Sequence, residues 1–472
     1  MRISLLITLL TVLCAGAAPA ADTTVRFQVD CTKETGRIRP LHGGNCGPLQ
    51  TGGLIDLSAY HKELGIPLTR LHDCHWPNPD VVDVHVVFPD FTKDPADPKS
   101  YDFARSDDYV AAVVKTGSKI VYRLGESIEH APRKVHVHPP GDAEKWAQVC
   151  LGIIRHYNEG WADGFRHDIQ YWEIWNEPEN RPAMWTGSDE EYLRLYEVTA
   201  KAIKSQFPRL KVGGPSLGYT GRVVNREFEP SPFLPAFLSH CRDRKLPLDF
   251  FSWHLYTDDP RECLTRGRGI RKVLDQHGFR DAESHLNEWN YLPDNDWSPM
   301  SLKGQGEPRE KFYARMTGAE GAAFGAAVLL NLQDAPVDAA NYFTADNQPL
   351  GMFSLHGVPN KTFHAFKAFR TLLHTPVKLP ITGGAGGLVA CAGTDEKRSA
   401  LQVLVANPTA ESARCEIVFD ALPWPSARGK VLLLDGDHDL SEKSAVAVNA
   451  DAPIKIELPA HAVCLVTLRP AG

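Results

Sequence analysis

Between residue 38 and about residue 375 the chain alternates short apolar runs with longer segments that read as helices or loops. Eight runs stand out: Ile38–Gly44, Pro67–His72, Lys119–Leu124, Gln170–Asn176, Lys211–Pro215, Asp249–Tyr256, Ser284–Asn290 and Ala327–Gln333. Apolar runs of this kind suit strands buried on both faces, and helix-length connections between strands favour parallel pairing. Eight such units predict an α/β fold, a (β/α)8 barrel with long loops, in which chemistry gathers at the carboxyl ends of the strands.

The intervening segments support this reading. Asp142 is placed to cap a helix whose Trp146, Val149, Cys150, Ile153, Ile154 and Tyr157 form one stripe. Ser188 and Glu191 have the spacing of a capping box, and Tyr192, Leu195, Tyr196, Thr199 and Ile203 follow on one face. Past His374 the pattern changes to short alternating or apolar runs, Leu388–Ala392, Ala400–Asn407, Glu416–Phe419, Lys430–Leu434 and Ala462–Arg469, broken by Gly, Asp, Pro and Ser. An accessory C-terminal β-sandwich is expected there. The alternating segment Val25–Asp30, within an N-terminal stretch 22–37, is expected to join that sandwich, leaving 38–375 as the barrel and 376–472 as the sandwich.

The first 21 residues have Arg2, an apolar run from Ile3 to Val12, and a small-residue end, Ala15-Gly16-Ala17-Ala18-Pro19-Ala20-Ala21. This is the layout of a secretory signal peptide, so a secreted or periplasmic protein without a membrane anchor is expected. Nine cysteines remain beyond it, with no CxxC pair, and Cys150 and Cys464 fall in apolar surroundings as core fillers. The net charge is −7 with signs dispersed, which argues against nucleic acid as a partner. His130, His136 and His138 lie on a loop without Cys or carboxylate at ligand spacing, so no metal and no cofactor is expected.

Two candidate strands end in a carboxylate: Trp175-Asn176-Glu177-Pro178 and, much later, Asn287-Glu288-Trp289. Two carboxyl groups at the mouth of a barrel suit glycosidic bond hydrolysis, in which one acid protonates the leaving oxygen and a second, ionised, attacks the anomeric carbon. In Ser252-Trp253-His254-Leu255-Tyr256 the residues 252, 254 and 256 share a face, so His254 and Tyr256 are expected to point together into the mouth. Arg70 and His72 end the second strand with the same alternation and are candidates for substrate or nucleophile contact or for structural ion pairing. His42 and Asn45 are weaker candidates, and Glu173 is expected to be buried and paired within the barrel. Trp175, Trp289 and Trp76 are candidates for stacking on a sugar ring.

These segments resemble the retaining (β/α)8 glycosidase clan. Within it the chain is most similar to glycoside hydrolase family 39, the β-xylosidases and α-L-iduronidases. Leu64-Gly65-Ile66-Pro67-Leu68-Thr69-Arg70-Leu71-His72 resembles that family's second-strand signature, and Gly351-Met352-Phe353 with Asn360-Lys361-Thr362-Phe363-His364-Ala365-Phe366 its closing segment. The resemblance implies an oligo- or polysaccharide substrate and no cofactor, with Glu177 as acid/base, Glu288 as nucleophile and Asn176 on the sugar 2-hydroxyl. His254, Tyr256, Arg70, His72 and Trp289 are then expected around the substrate. The chain departs from the family's xylosidases at Pro178-Glu179-Asn180 and in the loops Ser127–Pro140 and Asp294–Glu307, which are expected over the barrel mouth. An arabinofuranosidase, glucuronidase or endoglycanase activity, or a catalytically silent carbohydrate-binding protein, are the alternatives.

Overall fold

In the computed structural model, which describes residues 24–50, 54–75, 79–301, 304–449 and 452–471, eight parallel strands hydrogen-bond in a closed ring. In chain order they are Gly43–Asn45, Leu68–Leu71, Lys119–Leu124, Tyr171–Ile174, Lys211–Leu217, Phe250–Thr257, Glu283–Tyr291 and Ala339–Tyr342, called barrel strands one to eight below. The ring closes where strand eight pairs with strand one, Asn341 beside Gly43 and Tyr342 beside Gly44. The signal-like segment 1–21 lies outside the described residues.

The helices form where local chemistry asks for them. Asp142 accepts a hydrogen bond from the Lys145 amide at the start of Ala143–Asn158, whose stripe from Trp146 to Tyr157 is buried. The capping box of Ser188 and Glu191 closes both ways at the start of Asp189–Gln206, satisfying two amides that the first turn leaves unpaired.

Two strand assignments are corrected. The first barrel strand is only Gly43–Asn45, not Ile38–Gly44. The run Ala327–Gln333 is not the eighth strand: it belongs to the helix Ala319–Asn331 and the short turn after it, and strand eight is Ala339–Tyr342. The helix is buried along nearly its whole length, because it packs between barrel strand seven, the helix Lys361–Leu372 and the sandwich strands Val389–Thr394, Leu401–Asn407 and Ala462–Pro470. A helix covered on all sides loses its polar stripe, and without that stripe an apolar run carries no period to separate helix from strand.

Apart from the hairpin of Gly221–Val224 and Glu227–Pro230, the remaining strands form a four-stranded and a six-stranded sheet that share one core. Thr24–Asp30 lies in the smaller sheet, parallel to Ala413–Asp420, and its alternation puts Val25, Phe27 and Val29 into a core shared with Val403, Val405, Ile417 and Val466. Each such side chain contributes about 1.5–3 kcal/mol on burial. The nine cysteines among the described residues are buried and unpaired. No helix among the described residues is long and apolar enough to cross a membrane.

Candidate active site

Barrel strand four ends abruptly: Trp175 and Glu177 take left-handed backbone angles, φ 70° and 44°, before Pro178. Side chains other than glycine visit this region at a cost, and such residues persist where surrounding contacts hold them. Here the Glu177 amide donates to the Ser216 carbonyl (3.0 Å) on strand five, and the Glu177 carbonyl accepts from the Asn180 amide (2.9 Å). The turn aims the Glu177 carboxylate into a cavity of about 1020 Å³ at the carboxyl end of the barrel, which Glu288 also lines. One oxygen of each carboxylate and one nitrogen of His254 lie within 4.8 Å of one another.

Each glutamate is held by its own donors. Glu177 Oε1 lies 2.7 Å from His254 Nδ1, and Oε2 accepts from the Asn180 amide at 2.8 Å. Glu288 Oε1 accepts from the Tyr256 hydroxyl at 2.5 Å, and Oε2 from Arg70 at 3.1 Å, with His254 Nε2 at 3.5 Å. Arg70 is fully buried and spends its guanidinium on five partners: Glu173 (2.7 Å), Asn45 (3.1 Å), Glu288, Asn176 (2.6 Å) and Ser216 (2.7 Å). The fork geometry of arginine lets one buried cation orient strands one, two, four, five and seven together. Asn176 commits its oxygen to Arg70 and Ser216, so its NH2 group is left without a protein acceptor among the described residues, at the cavity wall.

Glu177, His254 and Glu288 share protons. Burial works against the His254 charge, but Glu288 and Glu177 outweigh it and raise the imidazole above its ordinary value. Burial pushes Glu177 up, yet the hydrogen bond and charge of His254, together with Asn180, bring it below the usual carboxylate value. Glu288 is raised by burial and by the facing Glu177, against His254, Arg70 and Tyr256. Burial and charge thus favour a proton on His254 over one on Glu177, and these groups titrate as one unit. Burial and the Glu288 charge raise Tyr256 well above an ordinary phenol, so it remains a donor. His72 is held neutral by burial and by Arg70 and Arg123.

The structure brings Glu177, Glu288, Asn176, His254, Tyr256 and His72 to one cavity. Arg70 lies behind it, contacting the nucleophile candidate and the buried Glu173 rather than the cavity itself. Trp289 is corrected: it follows Glu288 and so points to the opposite face of the strand, where it packs against Tyr342 and Phe366 outside the barrel. Trp175 is likewise buried, against Trp146 and Trp185, and Trp76 lies outside the described residues. His42 faces the Leu64 carbonyl and Phe369, away from the mouth. Sequence reading missed Ser216, whose hydroxyl joins Arg70, Asn176, Asn287 and His254. It carries no local signal. Asn180, three residues after Glu177, did have a signal, because one turn brings i and i+3 together.

Among the described residues two groups of ligand-type side chains converge. In Glu177, His254 and Glu288, the adjacent Arg70 cation disfavours a metal ion. In the second, Asp83 is taken by Arg123 and Ser127, while Glu126 accepts from His85 at 2.5 Å and is pushed by burial up to about 7. His136 stacks on His85 with centroids 3.6 Å apart, and His138 binds Thr186 and the Lys134 carbonyl. Stacked imidazoles present parallel lone pairs, which do not converge on one ion.

The sequence model for glycosyl hydrolases family 39 matches residues 72–266, a stretch that contains Asn176, Glu177, His254 and Tyr256. A β-xylosidase of Geobacillus stearothermophilus is 28% identical over 273 residues, which are 51% of this chain and 48% of the relative. A second β-xylosidase, of Caldicellulosiruptor saccharolyticus, is 24% identical over 348 residues, 66% of this chain and 63% of that one. Over residues 72–266 the chain is similar to glycosyl hydrolases family 39. The alignments span about half to under two thirds of these curated relatives' own length. Among solved structures, a glucosidase from Croceicoccus marinus superposes with a TM-score of 0.78 at 25% identity, over 96% of this chain and 100% of the other. A family 39 enzyme from Xanthomonas axonopodis pv. citri shares the fold with a TM-score of 0.70 at 18% identity, over 98% and 100% of the two chains. Glu288 lies beyond the matched family segment, so its assignment rests on the geometry above.

Proposed function

We propose that this chain is a retaining glycoside hydrolase of β-xylosidase type, acting by double displacement with Glu288 as nucleophile and Glu177 as acid/base. The observation that carries the reading is the approach of the two carboxylates, whose nearest oxygens lie within 4.8 Å. Retaining enzymes hold their carboxyl groups about 5–5.5 Å apart, whereas inverting ones leave about 6.5–9.5 Å for a water between them.

The donors divide the work. Tyr256 and Arg70 hold Glu288 by both oxygens, so its attack on the anomeric carbon starts from a fixed position. Glu177 lies more open to the cavity, with 15% of its side chain exposed against 8% for Glu288. Once a glycosidic oxygen reaches Glu177, the His254 N–H at 2.7 Å is the proton source that recharges it as an acid. Glu177 then takes a proton from water while the covalent intermediate is hydrolysed. The NH2 of Asn176 is free for a sugar hydroxyl beside the reacting carbon, where a hydrogen bond strengthens as charge develops.

The test is Glu288→Gly assayed on an aryl β-xyloside. Turnover should be lost, and added azide should restore it with the inverted α-xylosyl azide as product; undiminished turnover without azide removes Glu288 as nucleophile. A glucosidase reading is favoured by the similarity to the Croceicoccus glucosidase over nearly the whole chain. Comparing kcat/KM on matched β-xyloside and β-glucoside decides between them, since the two sugars differ only by the hydroxymethyl group. The segment 1–21 supports export of the enzyme, which fractionation of expressing cells with N-terminal sequencing would check: protein retained in the cytoplasm and still starting at Met1 would refute it.

A further inference from the structure

The cavity around the two glutamates has unlike walls. The residues that follow barrel strands two, three and eight include His72, Asp73, His75, His130 and Gln348. Asp73 Oδ1 accepts from the Ile128 amide at 3.1 Å and its Oδ2 has no partner among the described residues. Gln348 uses its NH2 on the Asp73 carbonyl and Asp346, which leaves its carbonyl oxygen open. Beside the apolar Ile128, Phe343, Pro349 and Leu350, this half offers acceptors to sugar hydroxyls.

The half built after strands four to seven is different. Met184, Tyr219, Trp297 and Met300 line it outside the catalytic cluster, and the Asn180 and Arg266 side chains beside them are already engaged. The Asn180 amide holds Glu177 (2.8 Å), and the Arg266 guanidinium is bound to Glu262, the Thr220 hydroxyl and the Gly221 carbonyl. Tyr219 is 55% exposed and Trp297 43%. Among the described residues the exposed large aromatic side chains are Phe91, Tyr219 and Trp297, so two of the three sit in this one cavity. Aromatic surface left in water at a cleft mouth marks a contact surface for apolar matter. Tyr219 also continues directly from Gly218, the residue that a Cβ would drive to 2.3 Å from Glu177 Oε1, so this wall adjoins the acid/base.

We propose that the leaving-group side of the cavity binds a flat, apolar aglycone, with Trp297 and Tyr219 as the surfaces that hold it. The inference rests on Glu177 as proton donor, because the leaving group must lie on the side of the acid. A second sugar at this position would bring several hydroxyls against a largely apolar wall where the Asn180 and Arg266 donors are already engaged, and each unpaired hydroxyl costs affinity. An aryl or polycyclic alcohol brings only the one oxygen that Glu177 protonates. Its ring face would meet indole and phenol, as aromatic pairs prefer.

The experiment compares three substrates of the hydrolysed sugar: the glycosyl fluoride, which has no aglycone ring, the 2-naphthyl glycoside, and the disaccharide. Wild type should prefer the naphthyl glycoside over the disaccharide in kcat/KM by at least about tenfold, equivalent to about 1.4 kcal/mol. In Trp297→Ala the ratio of naphthyl glycoside to fluoride should fall by about tenfold, carried by KM, and Tyr219→Ala should lower the same ratio independently. Because the Trp297 ring meets Tyr256 edge-on at 4.9 Å, equal losses on both substrates would assign Trp297 to the nucleophile side and overturn the proposal. So would a wild-type preference for the disaccharide. If no glycoside is turned over, the functional reading fails but this inference is still read: free 2-naphthol should bind wild type and bind Trp297→Ala at least about tenfold more weakly, and equal binding refutes it.

Discussion

Tyr256→Phe isolates one hydrogen bond at the centre of the site. The hydroxyl donates to Glu288 Oε1 at 2.5 Å, and the phenylalanine ring fills nearly the same space, so packing changes little. A hydrogen bond to a charged group is worth about 1.5–3 kcal/mol, which converts to roughly a 10- to 150-fold effect. That amount stabilises ionised Glu288 relative to its protonated form. Glu288 is already raised by burial and by Glu177, so losing the donor raises it further. The nucleophile must be ionised, so the acidic limb of kcat/KM should move to higher pH. On the acid side the variant should be slower by up to about 10- to 150-fold, with much of the loss recovered as pH rises past the shifted limb. The assay is a kcat/KM–pH profile on an aryl glycoside with a good leaving group, for which kcat/KM reports attack by Glu288 with little demand on the general acid. A loss of the same size at every pH, or a limb that stays in place, would show that Tyr256 only positions the carboxylate and does not hold its charge.

Gly218→Ala places a Cβ 2.3 Å from Glu177 Oε1, a contact that the end of a side chain can relieve by moving. The fold should survive while general acid catalysis suffers: kcat on poor leaving groups should drop by about 10²-fold or more and on good ones by much less, and equal losses would contradict the role of Glu177. Trp289→Ala should cost about 3–5 kcal/mol in unfolding free energy, because the ring packs between Tyr342 and Phe366, while Trp289→Phe should keep KM within about twofold. A several-fold rise in KM for Trp289→Phe at unchanged stability would return Trp289 to the substrate site.

Local chemistry decided a good deal of this protein. Six of the eight barrel strands, the caps at Asp142 and Ser188, the alternation of Thr24–Asp30 and five of the sandwich strands announce themselves within a few residues, because period, caps and turn residues act over that range, whereas Asp439–Asn449 and Ile454–Leu458 did not stand out. The positions of Glu177, His254, Tyr256 and Glu288 at strand ends were legible for the same reason, since the period of two sets which residues share a face. The same rule, applied to Glu288, sends Trp289 outward.

Contacts between distant segments decided the rest. The helix Ala319–Asn331 is helical because barrel and sandwich cover it from several sides, and coverage of that kind erases the pattern by which a sequence shows its helices. The proton sharing of Glu177, His254 and Glu288 arises only when strands four, six and seven close together around Arg70 from strand two. A carboxylate's protonation follows from its burial and its neighbours' charges, and residues far apart in the chain supply both. The sequence by itself determined which carboxylates would stand at the barrel mouth. Only the tertiary structure decided how each is held and charged, because electrostatic energy depends on distances through space that order along the chain does not set.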